Sequence, residues 1–204
     1  MSTILQEAAA GRATIVPWTV EQYHRAIDIG LLPEDASVEL LDGFIVRKDR
    51  ARAGEDPMTI GDRHRVAVVR LSHSGSLFES HACCLQTQQP ISLPPIDAPE
   101  PDGAVVRGRI DDYLDGPPSA PDLFCVIEIA DSSLSVDLGP KLRAYATAAI
   151  PLYIVADLVH DRVLVHEGPA GDVFARVTAL TRGDTMQIPT GTDPVSLAAD
   201  RLLP

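Results

Sequence analysis

The chain is poor in aromatic residues, and it lacks any long apolar run. Aromatic residues make up 4% of its 204 residues, so a folded core must be built mainly from aliphatic side chains. No apolar run approaches the roughly 18 residues of a membrane-spanning helix, and the N-terminus has no basic start followed by an apolar core. We therefore expect neither a membrane partner nor a secretion signal.

Cysteine is scarce, and its spacing argues against both disulfides and zinc. Cys83 and Cys84 are adjacent in the sequence, and Cys125 lies inside an apolar run. Neighbouring cysteines rarely bridge each other, and a CC pair lacks the CxxC spacing of structural zinc sites. We predict three buried thiols and a cytoplasmic location, where thiols stay reduced.

Basic residues are also few. The chain has 17 Lys and Arg against 29 Asp and Glu, which gives a net charge of −12. Such a charge favours solubility and opposes non-specific attraction to nucleic acid. The apolar fraction of 45% and the chain length suit one domain with a normal core.

Apolar periodicity and turn residues predict an α/β (α+β) fold in which helices flank a mixed sheet. Thr19 is the expected N-cap of a helix over 20–30, and Asp42-Gly43 predicts a tight hairpin within 38–46. Asp137 is the expected N-cap of a helix over 138–149, and another helix is expected over 62–72. The remaining elements are strands over 84–93, 123–129, 151–158 and 162–168, a turn and short strand over 99–106, a loop over 107–120, and a hairpin within 174–189.

One acidic residue interrupts the most apolar of these strands. Six of the seven residues over 123–129 are apolar, and the exception is Glu128. A continuous apolar run of this length is typical of a strand covered on both faces. A buried ionised carboxylate must be paired, protonated or bound to a cation. The alternative is that Glu128 reaches solvent at the end of the strand.

Three other residues raise a similar question. In the predicted hairpin Glu39 lies opposite Val46 on an apolar face, where it either sits at the rim or points into a site. His64 lies on the apolar stripe of its helix, either as a hydrogen-bonded residue at the core's edge or as a functional one. Asp102 stands in Pro-Asp-Gly, which is also ordinary turn chemistry.

A lysine follows the apolar strand on the next helix. Lys141 shares a mostly apolar stripe with Tyr145, so it either extends to the surface or reaches the buried Glu128. Glu128 comes 26 residues after Asp102, and Lys141 comes 13 residues later. Two carboxylates and an ammonium on neighbouring elements suit a hydrolytic magnesium site.

Six short segments occur in an order that is typical of one bacterial family. They are VELLDGFIV, RHRVAVVRL, LQTQQPISL, EPDGAVV, PDLFCVIEIADSS and DLGPKLRAYATAAIPLYIVAD. Over about residues 16–200 the chain resembles the Uma-type family of restriction endonucleases, part of the PD-(D/E)XK nuclease superfamily. The resemblance implies a restriction-endonuclease-like fold in a single domain over 16–204, after an N-terminal extension over 1–15.

By position in these motifs, the resemblance implies a metal-dependent nuclease site. Asp102 and Glu128 would bind Mg²⁺ or Mn²⁺ together with the backbone carbonyl of Ile129, and Lys141 would assist from the following helix. The remaining assigned residues are Glu39 and His64 as catalytic residues, with Gln88 or Gln89 and Tyr145 in support. Residues 131–134 replace the family's Ser-Pro-Ser-Thr, and the strand at 153–157 lacks its tryptophan, but neither departure touches the proposed ligands.

The implied substrate is nucleic acid, with DNA the expected form, and the reaction is hydrolysis of phosphodiester bonds. Binding should be weak and salt-sensitive because the chain is acidic, and a homodimer could line a cleft with two copies. The basic residues that follow or flank the site motifs are Arg47, Lys48, Arg50, Arg52, Arg63, Arg65, Arg107 and Arg109. Two other functions stay open: a non-catalytic binding or assembly module that keeps the nuclease fold, and hydrolysis of another phosphate ester.

Overall fold

A six-stranded mixed sheet forms the centre of this computed structural model, which describes residues 3–33, 37–47 and 61–204. The strands are β1 (Val38–Leu41), β2 (Phe44–Arg47), β3 (Cys83–Gln86), β4 (Gly103–Arg107), β5 (Leu123–Ala130), β6 (Leu152–Asp157), β7 (Arg162–Ala170), β8 (Val173–Leu180), β9 (Thr185–Ile188) and β10 (Val195–Ala198). The helices are α1 (Thr3–Ala9), α2 (Val20–Asp28), α3 (Asp62–Ser72), α4 (Leu134–Val136) and α5 (Leu142–Thr147), with a π-helical turn over Asp137–Lys141 and short 3₁₀ turns at Gly75–Leu77, Glu79–His81, Ile110–Tyr113, Ala120–Asp122 and Ala199–Arg201.

The strand order of the main sheet is β3-β4-β5-β6-β7-β8, and β5 lies inside it. β5 runs parallel to β6 and antiparallel to β4, while the other neighbouring pairs are antiparallel. All eight residues of β5 are buried, as its apolar run predicts for a strand covered on both faces. The predicted mixed sheet flanked by helices is confirmed.

Two apolar clusters cover the two faces of the sheet. On one face α3 packs through Ala67 and Leu71 against Ile127, and Met186 and Ile188 from β9 join the same cluster. On the other face the cluster comprises side chains of the sheet and of the helix after β5, among them Val126, Tyr145, Tyr153 and Val155. Side chains alternate along a strand, so Glu128 belongs to the second face, with Val126.

The hairpin β1–β2 and helix α2 build a third, smaller cluster at one side of the sheet. The predicted register is confirmed, with Glu39 opposite Val46. The turn has φ +51° at Asp42 and +73° at Gly43, the left-handed pair that a two-residue hairpin favours. A Cβ at position 43 would lie 2.2 Å from the Pro17 Cβ, so only glycine fits there.

The start of α2 is confirmed, while the helix after β5 differs from the prediction. Thr19 caps α2 with a hydrogen bond from the Gln22 N–H, and the Gln22 side chain accepts from the Thr19 N–H. The later helix begins at Leu134 rather than 138, so the prediction that Asp137 is its N-cap is wrong. Pro140 has no N–H to donate within a helix, and the chain accommodates it in the π-helical turn.

Two strand predictions also need correction. The hairpin expected within 174–189 does not form, because β8 pairs with β7 at the edge of the main sheet and β9 pairs with β10 in a separate sheet. Burial explains the division, since Met186 and Ile188 of β9 join the α3-side cluster while β8 stays largely exposed. The strand expected over 84–93 is confined to Cys83–Gln86, and Gln88 has a left-handed φ of +52°.

The thiols are free, as predicted. Cys83 and Cys125 are buried, whereas Cys84 is half-buried rather than fully buried as expected. None of the described helices has both the length and the apolar character needed to span a bilayer.

Candidate active site

Glu128 is buried and paired, so the solvated interpretation of this residue is wrong. Its relative exposure is 3%. One oxygen, Oε1, accepts hydrogen bonds from Lys141 Nζ at 3.0 Å and from the Tyr145 hydroxyl at 2.7 Å. Both donors come from the helical segment that follows β5 and covers this face of the sheet. Tyr145, which the sequence placed in a supporting role, therefore contacts Glu128 directly.

Lys141 does not extend to solvent, because three carboxylates surround its ammonium. The Nζ atom lies 3.0 Å from Glu128 Oε1, 3.3 Å from Glu39 Oε2 and 3.9 Å from Asp137 Oδ1. Lys141 is 6% exposed. Since a buried ammonium needs paired charge, this cluster meets the physical requirement for keeping a lysine inside the fold.

Glu39 reaches the cluster from the hairpin rather than remaining at its rim. The side chain is buried, and its Oε2 also accepts a hydrogen bond from the Glu100 backbone N–H at 3.2 Å. The bridge between Leu40 and Ala98 fixes β1 against the segment that leads to Asp102. The hairpin, the segment before β4 and the helix after β5 thus converge on one point.

Asp102 lies next to Glu128, where β4 begins and β5 approaches its C-terminal end. The pairing of Gly103 with Ile127 places the preceding residue, Asp102, opposite Glu128 on the neighbouring strand. Asp102 Oδ2 accepts a hydrogen bond from the Ile129 N–H at 2.8 Å and contacts His64 Nε2 at 3.2 Å. His64 belongs to α3, which packs on the opposite face of the sheet from Lys141. The two helices therefore approach the same pair of carboxylates from two sides.

The electrostatics of the cluster follow from burial and mutual proximity. Burial raises the pKa of Glu128 well above its ordinary value, although the charge of Lys141 opposes the rise. Burial likewise raises the pKa of Asp137 to about 6. Burial alone would lower the pKa of Lys141, but the carboxylates led by Glu128 more than offset it, so the net shift is upward and the ammonium stays charged.

Asp102 behaves differently from these buried acids. Burial raises its pKa, but the contacts with His64 and the Ile129 N–H, together with the charge of Lys141, outweigh burial and leave the pKa below its ordinary value. Asp102 is therefore a carboxylate at neutral pH. A permanently ionised oxygen ligand beside Glu128 is the chemistry that a hard divalent cation requires.

Each of these two carboxylates has one oxygen engaged and one oxygen open. Within the part of the chain that the structure describes, Asp102 Oδ1 and Glu128 Oε2 accept no hydrogen bond, since all the donors lie on the other oxygens. Mg²⁺ is typically held by one or two carboxylates together with water and substrate oxygens. Among the same residues no group of three or more His, Cys, Asp or Glu side chains is arranged around a metal position. The donor set thus fits a cation held by two carboxylates and not a cage of protein ligands.

The predicted glutamines are less directly involved. The Gln88 backbone N–H donates to the Asp102 carbonyl at 3.2 Å, which fixes the turn before β4, and Gln89 is exposed. Gln86, in contrast, is buried and pairs with Ala104. By strand register it shares the face of Glu128. Sequence reasoning missed Gln86, although a buried polar residue within an apolar strand is the same signal that singled out Glu128.

The structure separates the basic residues that the sequence placed near the site. β4 leads away from Asp102, so Arg107 lies about 16 Å along the strand at roughly 3.3 Å per residue, and it stacks on Phe124 at 4.1 Å. Arg109 follows it, so these two arginines follow the Asp102 motif in the sequence but lie away from the cluster in space. Arg63 and Arg65 begin α3 beside His64. Lys48, Arg50 and Arg52 lie outside the described residues.

The family of the chain is decided by a comparison with family models. The model described as "Uma2: Putative restriction endonuclease" matches residues 20–200. The chain belongs to the Uma2 family. The family model starts at the first residue of α2 and ends in the last 3₁₀ turn, so it contains every residue of the cluster described above. Among curated proteins, no relative matches the chain.

A solved structure has the same fold. It is a crystal structure described as a putative nuclease belonging to DUF820, from Anabaena variabilis. The identity is 15%, the TM-score is 0.61, and the match covers 91% of this chain and 97% of that chain. At this identity the likeness establishes the architecture of the Uma2 protein, while the chemistry of the site has to be argued from its own residues.

Proposed function

We propose that this protein is a metal-dependent nuclease that hydrolyses phosphodiester bonds of nucleic acid. The observation that carries the proposal is the pair of carboxylate oxygens, Asp102 Oδ1 and Glu128 Oε2, that accept no hydrogen bond from the described residues, together with the buried ammonium of Lys141 beside Glu128. Membership of a family described as "Putative restriction endonuclease" supports the same reaction class. Asp102, Glu128 and the Ile129 carbonyl would hold Mg²⁺ or Mn²⁺.

The roles of the residues follow from their contacts. A bound divalent cation would supply charge to polarise a phosphoryl oxygen and to activate water. Water then adds to phosphorus and the ester P–O bond breaks, which leaves a phosphate monoester and a free hydroxyl. Lys141 orients that water or balances the charge that develops at phosphorus. Glu39 holds Lys141, and His64 holds Asp102 in place.

The substrate we propose is DNA, bound weakly and with a steep dependence on salt. A net charge of −12 repels phosphates in general, so affinity must come from local cations. Three of the described arginines lie close to cluster residues along the chain. Arg63 and Arg65 flank His64 at the start of α3, and Arg143 follows Lys141 in α5. Arg63 and Arg143 are each about half exposed.

The organisation of the chain completes the proposal. We place one catalytic domain over 16–204 after an extension over 1–15, and we propose that the protein works as a homodimer in the cytoplasm. Free thiols at Cys83, Cys84 and Cys125 agree with a reducing compartment. Light scattering coupled to size-exclusion chromatography measures the dimer directly, and a monomer at all concentrations would contradict it.

A cleavage assay tests the function. Purified protein with Mn²⁺ at low ionic strength should cleave single- or double-stranded DNA or RNA, and chelation by EDTA should stop it. The matched control is Glu128→Ala, which loses both the cation and activity, while Arg176→Ala, which removes only an exposed ion pair with Glu167, retains both. Cleavage no greater than that of Glu128→Ala on all four substrates would contradict the proposal and favour a non-catalytic binding module.

A further inference from the structure

Asp137 is a fully buried acid that the proposed reaction does not use. It is 1% exposed and lies in the π-helical turn four residues before Lys141. Its Oδ2 accepts a hydrogen bond from Ser133 Oγ at 2.5 Å, and its backbone carbonyl accepts one from the Tyr153 hydroxyl at 2.9 Å. The remaining oxygen, Oδ1, faces Lys141 Nζ at 3.9 Å. The residue is thus fixed on one side and directed at the ammonium on the other.

Packing alone does not explain a carboxylate at this position. An apolar side chain would fill the same space without the several kcal/mol that desolvating an ion costs. Asp137 is also not needed as a helix cap, because the helical segment already begins at Leu134. Its distinctive property is negative charge next to Lys141, supplied from the same segment of the chain and independent of Asp102 and Glu128.

The contacts of Lys141 divide into two kinds. Glu128 contacts Lys141 and would also bind the proposed cation, whereas Glu39 and Asp137 contact Lys141 and would not bind the cation. A carboxylate that binds a divalent cation holds a nearby ammonium less strongly, because the positive charge of the cation repels the ammonium. When Glu128 is shared with a cation, Lys141 therefore depends on Glu39 and Asp137 to remain in the cluster.

We propose that Asp137 is a positioning residue that keeps the Lys141 ammonium beside the site when a divalent cation occupies Asp102 and Glu128. The inference rests on the proposed function for the identity of the cation, but not on catalysis. Asp137 acts through Lys141 and touches neither the cation nor the substrate. Glu39 contributes a second carboxylate to Lys141 from the hairpin, whereas the carboxylate of Asp137 comes from the same helical segment as Lys141.

The amino-acid composition offers a readout that needs no substrate. Lys141 and Lys48 are the two lysines of the chain. Acylation by an amine-reactive ester, followed by peptide mass spectrometry, reports the reaction rate of each lysine separately. Lys48 serves as the internal reference for reagent activity. The measurement is made on the full chain with and without Mg²⁺, and calorimetry with Mn²⁺ reports whether the cation binds.

The expected results separate positioning from a merely structural role. In the wild type Lys141 should stay protected after Mg²⁺ is added. In Asp137→Asn the addition of Mg²⁺ should raise the labelling rate of Lys141 several-fold, while Mn²⁺ affinity stays within about threefold of the wild type. Asp137→Glu should restore most of the protection. Ser133→Ala removes the hydrogen bond to Asp137 Oδ2 but leaves the carboxylate, so at pH 8, above the Asp137 pKa of about 6, it should label like the wild type.

An activity measurement on supercoiled plasmid DNA adds a second readout. Asp137→Asn should lower kcat about tenfold, or ~1.4 kcal/mol in the barrier, with KM unchanged. The proposal is overturned if Ser133→Ala and Asp137→Asn label alike, or if Mg²⁺ exposes Lys141 in the wild type. Where Asp137→Asn does not fold, Asp137→Leu, which fills the space without the charge, takes its place, and protection of Lys141 by this variant in Mg²⁺ also overturns the proposal. Protection that depends on Asp137 in a protein without nuclease activity would refute the proposed function and leave this inference standing.

Discussion

Replacing Lys141 by methionine should destabilise the fold strongly, because it removes the charge that three buried carboxylates share. Methionine keeps the volume of the aliphatic stem but leaves Glu39, Glu128 and Asp137 without their ammonium. Removing one partner of a buried ion pair costs about 3–5 kcal/mol. We expect a loss of this size in the free energy of unfolding near neutral pH.

The loss should also depend on pH, with a sign set by the pKa of Glu128. Burial already raises this pKa, and Lys141 opposes the rise, so the substitution moves the pKa further upward. A carboxyl whose pKa is higher in the folded than in the unfolded state favours the folded state at low pH. This stabilisation is complete below the unfolded pKa and is lost as the pH rises towards the folded pKa. While Glu128 stays protonated in the folded protein and its unfolded counterpart is ionised, the free energy of unfolding falls by ~1.36 kcal/mol per pH unit, or about 2.7 kcal/mol between pH 5.5 and 7.5.

Urea unfolding of both proteins at pH 5.5 and 7.5 measures the effect. Arg143→Met is the matched control, because Arg143 forms a half-exposed pair with Asp42 at 3.3 Å and should lose less than about 1 kcal/mol. An equal loss for Lys141→Met at the two pH values would refute the reasoning about Glu128. A loss no larger than that of Arg143→Met would refute the buried cluster itself.

Three further predictions concern separate parts of the molecule. Asp102→Asn should abolish most of the rise in melting temperature that Mn²⁺ causes in the wild type, as measured by scanning calorimetry, and an unchanged rise would remove Asp102 from the ligands. Thr19→Ala should cost about 1 kcal/mol in urea unfolding through loss of the α2 cap, whereas a neutral effect would mean that the capping box contributes nothing. Burial raises the pKa of Asp157, but hydrogen bonds from Arg162 and His160 lower it below its ordinary value, so its stabilisation is present above the unfolded pKa and is lost in acid. Asp157→Asn should accordingly show a flatter loss of stability than the wild type as the pH falls below about 4, and parallel acid profiles would contradict this.

The sequence predicted those parts of the fold that depend on local chemistry. Asp42-Gly43 determines the turn and register of β1–β2, because left-handed φ values at both positions allow one hairpin geometry. The helix over 62–72 was predicted with its observed bounds from its apolar stripe. The apolar run around Glu128 indicated a strand covered on both faces, and the cluster around Glu128 confirms that its carboxylate is paired.

The rest depended on contacts that no local pattern reports. Asp137 before Pro140 has the local features of an N-cap, but its side chain is buried and faces Lys141, and the helical segment already begins at Leu134. The partners of β8 and β9 depend on which core each strand reaches, and the turn between them is compatible with either sheet. Arg107 is close to Asp102 in sequence and distant in space, because an extended strand separates them.

The measurement that tests the account most directly is the position of Mn²⁺ in a crystal of the protein, located by anomalous diffraction. The account predicts one strong peak bound by Asp102 Oδ1 and Glu128 Oε2, with Lys141 still in contact with Glu39 and Asp137. Ligand distances near the roughly 2.0–2.1 Å of magnesium sites are expected when Mg²⁺ replaces Mn²⁺. A cluster that stays free of metal at saturating Mn²⁺, or a peak that lacks either carboxylate, would contradict the proposed site.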